Sequence, residues 1–202
     1  MKWKVCGMRQ TENINEIVAL EPDYMGFILW DGSKRFCASV PEVPKGIAKV
    51  GVFVNAAPEE MLSAIDTYKL AAVQLHGDEP PSLCRAVQGH AQIIKAFSVG
   101  ASFDFDTLID YIPYCDFFLF DTKGIYPGGN GTTFDWTLLY DYPYDIPFFI
   151  SGGIGLEEVS KIHELCNSSL PVYAVDLNSK FEQAIAVKDV AMLTDFKEKL
   201  ML

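Results

Sequence analysis

The sequence predicts a (β/α)8 barrel, the TIM-barrel class of α/β fold, as a single domain over residues 1–202. Three observations carry that expectation. Eight short apolar runs, each bounded by turn residues, recur along the 202 residues. Nearly every run is followed by a segment of helical periodicity, and strict β–α alternation builds a parallel sheet with helices outside it. The glycines collect after the sixth and seventh runs. The alternative, an open doubly wound sheet, usually has fewer strands and carries its glycine-rich phosphate turn after strand one.

Taken in order, a short first strand ends at Cys6-Gly7. Residues 11–20 look helical, with Ile14, Ile17 and Val18 on one face. Residues 24–30 form the second strand. The next helix must fit between Pro41 and Ala48, short or poorly formed because Pro41 and Pro44 belong at or before a first turn. Residues 49–55 are a third strand. Residues 58–68 are a helix with Pro58 at its start and Glu59 and Glu60 in its first turn. Residues 72–76 are a fourth strand, 80–88 a helix and 91–97 a fifth strand. A short helix near 105–111 precedes the sixth strand, where four consecutive large apolar residues, 117–120, read as buried on both faces. That strand ends at Asp121, and a loop with four glycines follows. The seventh strand (147–151) leads into Gly152-Gly153-Ile154-Gly155 and a helix to about Cys166. The eighth strand is 172–176, and a final amphipathic helix covers about 188–199.

Composition narrows the function. Half the residues are hydrophobic, and the net charge is −11. Nucleic acid and anionic membranes reward basic faces, so neither is expected as a partner. A small anion is still compatible, because backbone N–H groups can hold a phosphate. No apolar run reaches the ~18 residues that span a bilayer, and the N-terminus lacks a signal-peptide plan. A cytoplasmic protein is expected. Five cysteines, an odd number without a CxxC pair, argue against a disulfide framework and against a zinc site.

In a barrel the C-terminal ends of all strands meet on one face, and catalytic groups come from several of them. The strand ends here supply Cys6, the loop to Arg35, Asn55, His76, Phe97, Asp121, Ser151 and Asp176. Cysteine, histidine and two aspartates on one rim suit acid–base work. Cys6 can also be read as a small buried hydrophobe, and His76 as a structural histidine. Cys37, Cys84, Cys115 and Cys166 are read as packing. Arg35 could clamp a carboxylate or phosphate with its planar fork. Ser151-Gly152-Gly153 and Asp176-Leu177-Asn178-Ser179 stand where barrels build a phosphate site from loops seven and eight.

Together these segments resemble the phosphoribosylanthranilate isomerase family. The resemblance rests on Lys4-Val5-Cys6-Gly7, Ser33-Lys34-Arg35, the strand ending Val54-Asn55, Gln74-Leu75-His76-Gly77, Asp121-Thr122 with Gly128-Gly129-Asn130-Gly131 and Phe134-Asp135-Trp136, Ser151-Gly152-Gly153, and Val175-Asp176. It covers nearly the whole chain and implies a cofactor-free Amadori rearrangement of a phosphosugar by a cytoplasmic monomer or homodimer. It implies Asp121 as general acid and Cys6, as thiolate, as general base. Arg35 would hold the anthranilate carboxylate. Ser151, Gly152, Gly153, Asn178 and Ser179 would hold the phosphate, with His76, Asp176 and Gly129 also at the substrate, and the glycine loop would act as a lid. A modest depression of the Cys6 thiol pKa would make it a useful base. Asp121 would need a raised pKa from its apolar strand. One departure stands out: the family's usual Asp-Val-Ser-Ser-Gly-Val-Glu reads Asp176-Leu177-Asn178-Ser179-Lys180-Phe181-Glu182, so Lys180 replaces a glycine beside the phosphate. Another phosphosugar isomerase or epimerase, and a non-catalytic phosphosugar-binding barrel, are the competing readings.

Overall fold

Eight parallel strands, tilted and staggered as closure requires, form this sheet into a barrel. In the computed structural model, which describes residues 1–122 and 134–201, the strands are β1 (Lys2–Val5), β2 (Tyr24–Ile28), β3 (Ala48–Phe53), β4 (Ala72–Leu75), β5 (Gln92–Val99), β6 (Phe117–Thr122), β7 (Phe148–Ile150) and β8 (Val172–Leu177). They pair in parallel in chain order, and β8 returns to β1. One parity of each strand faces outward. Val5, Phe27, Val73, Phe118, Phe120 and Val175 join the large cluster between sheet and helices. The other parity fills the lumen with Tyr24, Val50, Ala72, Ile94, Phe117, Leu119, Phe149 and Ala174. Strands buried on both faces read as unbroken apolar runs, which is why they were visible in the sequence.

The helices are α1 (Thr11–Val18), α2 (Pro58–Tyr68), α3 (Pro81–Val87), α4 (Val159–Cys166) and α5 (Val190–Leu200). Pro58 opens α2, and Lys69 closes it in the left-handed conformation, φ 54°. The helix expected between Pro41 and Ala48 is absent. Two prolines within four residues leave too few N–H donors for a stable turn, and the segment runs through turns into β3. The element at Phe105–Tyr111 is a 3-10 helix, and Asp104 caps it by accepting from the Asp106 N–H at 3.0 Å. α5 begins two residues later than expected because Asp189 is its N-cap, accepting from the Met192 N–H at 3.0 Å.

Two features went unforeseen. A 3-10 helix, Trp136–Asp141, follows the sixth strand. Beyond β8, a 3-10 turn (Ser179–Phe181) leads into a two-stranded antiparallel hairpin of β9 (Glu182–Ala184) and β10 (Val187–Lys188). The glycine loop with Gly129, and the lid assigned to it, lie outside the described residues. Among the described residues no helix is long and apolar enough to cross a membrane.

Candidate active site

The inward parity that is apolar in the lower barrel turns polar towards the C-terminal rim. Counting upward by two places Lys4 and Cys6 above the β1 floor, and Gln74 and His76 above Ala72. The same step puts Asp121 above Leu119, Ser151 above Phe149 and Asp176 above Ala174. Every site residue expected from the sequence, Gly129 apart, lines one pocket on this rim. The space between its lining atoms is about 690 Å³ with the open mouth included. Asn55 is elsewhere: its side chain accepts from the Asp78 N–H at 2.9 Å and ties the loop after β3 to the loop after β4. Phe97 faces the aromatic cluster with Phe103, Tyr111 and Phe118.

Cys6 is buried, 4 % exposed. Gly26 on β2 makes room for it, since a Cβ there would meet Cys6 Sγ at 2.7 Å. The expected depression of its pKa is not what the structure gives. Burial pushes the thiol above its ordinary value, against the pull of the Lys4 and Lys188 charges and with a further push from Asp176. Desolvation wins because the side chain is almost wholly withdrawn from water.

Lys4 is fully buried and donates to Asp176 Oδ2 at 2.8 Å and Gln74 Oε1 at 2.7 Å. Burial works against its charge, but Asp176 and Cys6 outweigh it and raise its pKa. Burial raises the Asp176 carboxyl, with Lys4 opposing. Asp176 Oδ1 has no hydrogen-bond partner among the described residues, although Asp176 lines the pocket. A buried acceptor left open at a pocket wall is a place for a ligand donor. His76 Nδ1 lies 2.7 Å from Gln74 Nε2, and His76 Nε2 lies 3.2 Å from Asp121 Oδ2.

Arg35 does not stand free. Its Nε and Nη2 donate to the two Glu182 oxygens at 2.8 and 2.7 Å, the fork-to-fork pairing of guanidinium and carboxylate. Glu182 also takes Lys188 Nζ at 2.9 Å. The Nε–Nη2 edge of the guanidinium is thereby committed, and its remaining N–H groups are what it can offer a ligand. In the loop after β7, on the same rim, Gly152 and Gly153 have φ of 87° and 65°. A Cβ on Gly152 would collide with Thr122 and approach Asp121 Oδ1 to 2.7 Å, so only glycine lets this loop lie against the end of β6. Lys180 also lines the pocket, with its ammonium 3.4 Å from Glu157. Of the four cysteines read as packing, Cys37, Cys84 and Cys115 are buried, but Cys166 is exposed.

Lys4, Gln74, Glu182 and Lys188 were missed by sequence reasoning. Lys4 and Gln74 carried a usable signal, since each lies two residues before an expected site residue and so shares its face of the strand. Glu182 and Lys188 carried none, because only the hairpin brings them to Arg35.

A closed parallel barrel with thiol, imidazole and carboxylates on one rim, beside a glycine loop suited to an anion, defines the class of barrel built for acid–base chemistry on small phosphorylated molecules. A family model described as N-(5'phosphoribosyl)anthranilate (PRA) isomerase matches residues 3–199. The chain belongs to this family. A relative named N-(5'-phosphoribosyl)anthranilate isomerase, from Parabacteroides distasonis, is 40% identical over 98% of this chain and 92% of its own length. The crystal structure of phosphoribosyl anthranilate isomerase from Thermus thermophilus superposes with a TM-score of 0.85 at 29% identity, covering 100% of this chain and 98% of that one. A further solved isomerase, in complex with reduced 1-(o-carboxyphenylamino)-1-deoxyribulose 5-phosphate, has a TM-score of 0.80 at 29% identity, with the same coverage of 100% and 98%.

Proposed function

We infer that this pocket carries out the family's Amadori rearrangement, converting N-(5-phosphoribosyl)anthranilate to 1-(2-carboxyphenylamino)-1-deoxyribulose 5-phosphate with Asp121 as general acid and Cys6 as general base. The observation that carries the reading is that Cys6 and Asp121, on strands separated by β7 and β8, line one pocket.

Asp121 gives a proton to the ribose ring oxygen, the C–O bond breaks, and the nitrogen lone pair leaves an iminium at carbon one. That cation acidifies the proton on carbon two, and the Cys6 thiolate removes it. Lys4 supports the thiolate: its ammonium is the largest influence pulling the buried thiol's pKa down. The substrate's other parts find matching chemistry. Ile28, Trp30, Val52 and Val54 form an apolar wall for the anthranilate ring. The free N–H groups of Arg35 meet its carboxylate. Asp176 Oδ1 accepts from a sugar hydroxyl, and the phosphate lies against Ser151–Gly153 and Asn178–Ser179 with Lys180 adding charge.

The test follows loss of the fluorescent anthranilate adduct. Cys6→Ala and Asp121→Asn should each lower kcat by ~10²–10⁴-fold, the range of general acid–base catalysis. Full activity in either variant would overturn that residue's role.

A further inference from the structure

A line of hydrogen-bonding groups crosses the lumen from β1 to β6. Lys4 Nζ stands 2.7 Å from Gln74 Oε1, Gln74 Nε2 stands 2.7 Å from His76 Nδ1, and His76 Nε2 stands 3.2 Å from Asp121 Oδ2. The chemistry of the first member orders the rest. An ammonium has only donors, so the Gln74 atom facing it is the carbonyl oxygen. The Gln74 NH2 therefore faces His76 Nδ1, which must accept with its lone pair. A neutral imidazole with a bare Nδ1 carries its proton on Nε2, and that proton points at Asp121 Oδ2.

We propose that Lys4 and Gln74 are positioning residues that lock His76 in the Nε2–H tautomer, so that Asp121 Oδ2 is always an acceptor and the proton Asp121 delivers leaves from Oδ1. The lock stands on the hydrogen bonds alone; the delivery from Oδ1 rests on the acid role inferred above.

Two further observations agree. Oδ1 is the oxygen turned towards the loop after β7, since a Cβ on Gly152 would lie 2.7 Å from it. The line is also held at its far end. Asp176 takes a second Lys4 proton at 2.8 Å, which fixes the ammonium against Gln74. Among the described residues, the charged groups shown to act on His76 are Asp121 on β6, 3.2 Å from Nε2, and Asp176 on β8. Of the line's members, Lys4 and Gln74 are fully enclosed, 0% and 1% exposed, so water does not compete for their bonds.

The experiment uses the whole chain with 15N-labelled histidine, the three histidines being assigned by His76→Gln, and reads the long-range proton–nitrogen correlations at neutral pH. The expected pattern is a bare Nδ1 and a protonated Nε2 on His76. A protonated Nδ1, or protons on both nitrogens, would overturn the lock, and this arm needs no variant at Gln74. Gln74→Glu keeps the shape and the bond to Lys4 but replaces the NH2 with an acceptor, so Nδ1 should gain a proton. In this variant kcat should fall by ~10²-fold while KM stays within a few-fold of its starting value, the split expected when a group acts only on the reaction step. A His76 pattern unchanged in Gln74→Glu, or an unchanged kcat, would sink the positioning role. The two layers separate cleanly. A wild-type Nε2–H pattern with a fully active Asp121→Asn would leave the lock and remove the delivery from Oδ1. A wild-type Nδ1–H pattern would remove the lock whatever Asp121→Asn does.

Discussion

Replacing Glu182 with glutamine should destabilise the protein and loosen Arg35 in one step. Glu182 has a side chain only 6% exposed and accepts from Arg35 Nε and Nη2, from Lys188 Nζ and from the Ala186 N–H. Lys188 is fully buried, 0% exposed. Glutamine preserves the shape but removes the charge and turns one acceptor into a donor, facing groups that can only donate. Removing one partner of a buried pair costs ~3–5 kcal/mol. Here Lys188 keeps Asn178 O at 3.2 Å and Asn178 Oδ1 at 2.7 Å, and Arg35 keeps some solvent, so the loss of one charge-assisted bond, about 2 kcal/mol, is the better figure. For a chain of this size that lowers Tm by ~4–8 °C. The effect has a definite pH signature. Burial opposes the Glu182 carboxylate, but the bonds and charges of Arg35 and Lys188 outweigh it and hold its pKa below the ordinary 4.5. A carboxylate whose folded pKa is lowered contributes stability above its unfolded value and loses it as pH falls through the folded one. Urea unfolding of both proteins should therefore show the full difference near neutral pH and a shrinking one below 4.5. KM should rise as well, because Arg35 is no longer held. Equal stability of the two proteins at neutral pH, or a difference of constant size into acid, would refute the reasoning.

Three other outcomes are expected. Because burial raises the Cys6 pKa above its ordinary 9.0, kcat/KM should climb with pH through the alkaline range, and Lys4→Met should shift that limb further up; a limb in the acid range would contradict the assignment. Gly152→Ala forces a side chain into a left-handed position at φ 87° against Thr122 and Asp121; it should cost ~1–3 kcal/mol in urea unfolding and lower kcat more than Ser151→Ala does. Lys180→Gly should raise KM by about five-fold with kcat unchanged, since its partner Glu157 is exposed and the pair is worth little to folding; steady-state kinetics over a range of salt would check it.

The eight strands, four of the α-helices to within two residues at their starts and the rim positions of Cys6, His76, Asp121, Ser151 and Asp176 were legible in the sequence for a local reason. Burial on both faces writes a strand as a short apolar run, and a rim residue is the first polar one after it. The start of α5 was displaced because Lys188, in sequence an ordinary surface lysine before a helix, is the buried end of the β9–β10 hairpin. What alternation within one strand fixes, the chain carries on its face: Asp121 follows Leu119 and Phe117 inward on β6, and Cys6 follows Lys4 on β1. What the tertiary structure decided is everything that depends on closure. Joining β8 to β1 sets Lys4 beside Asp176, 172 positions away in the chain, and Arg35 against Glu182, 147 positions away. Those contacts turn a lysine into the anchor of the Gln74–His76 line and an apparently free arginine into half of a clamp. They also enclose Cys6, so its thiol is shifted up where exposure would have allowed a shift down. Protonation and pairing depend on desolvation and on charges a few ångströms distant, and neither is written in the order of residues.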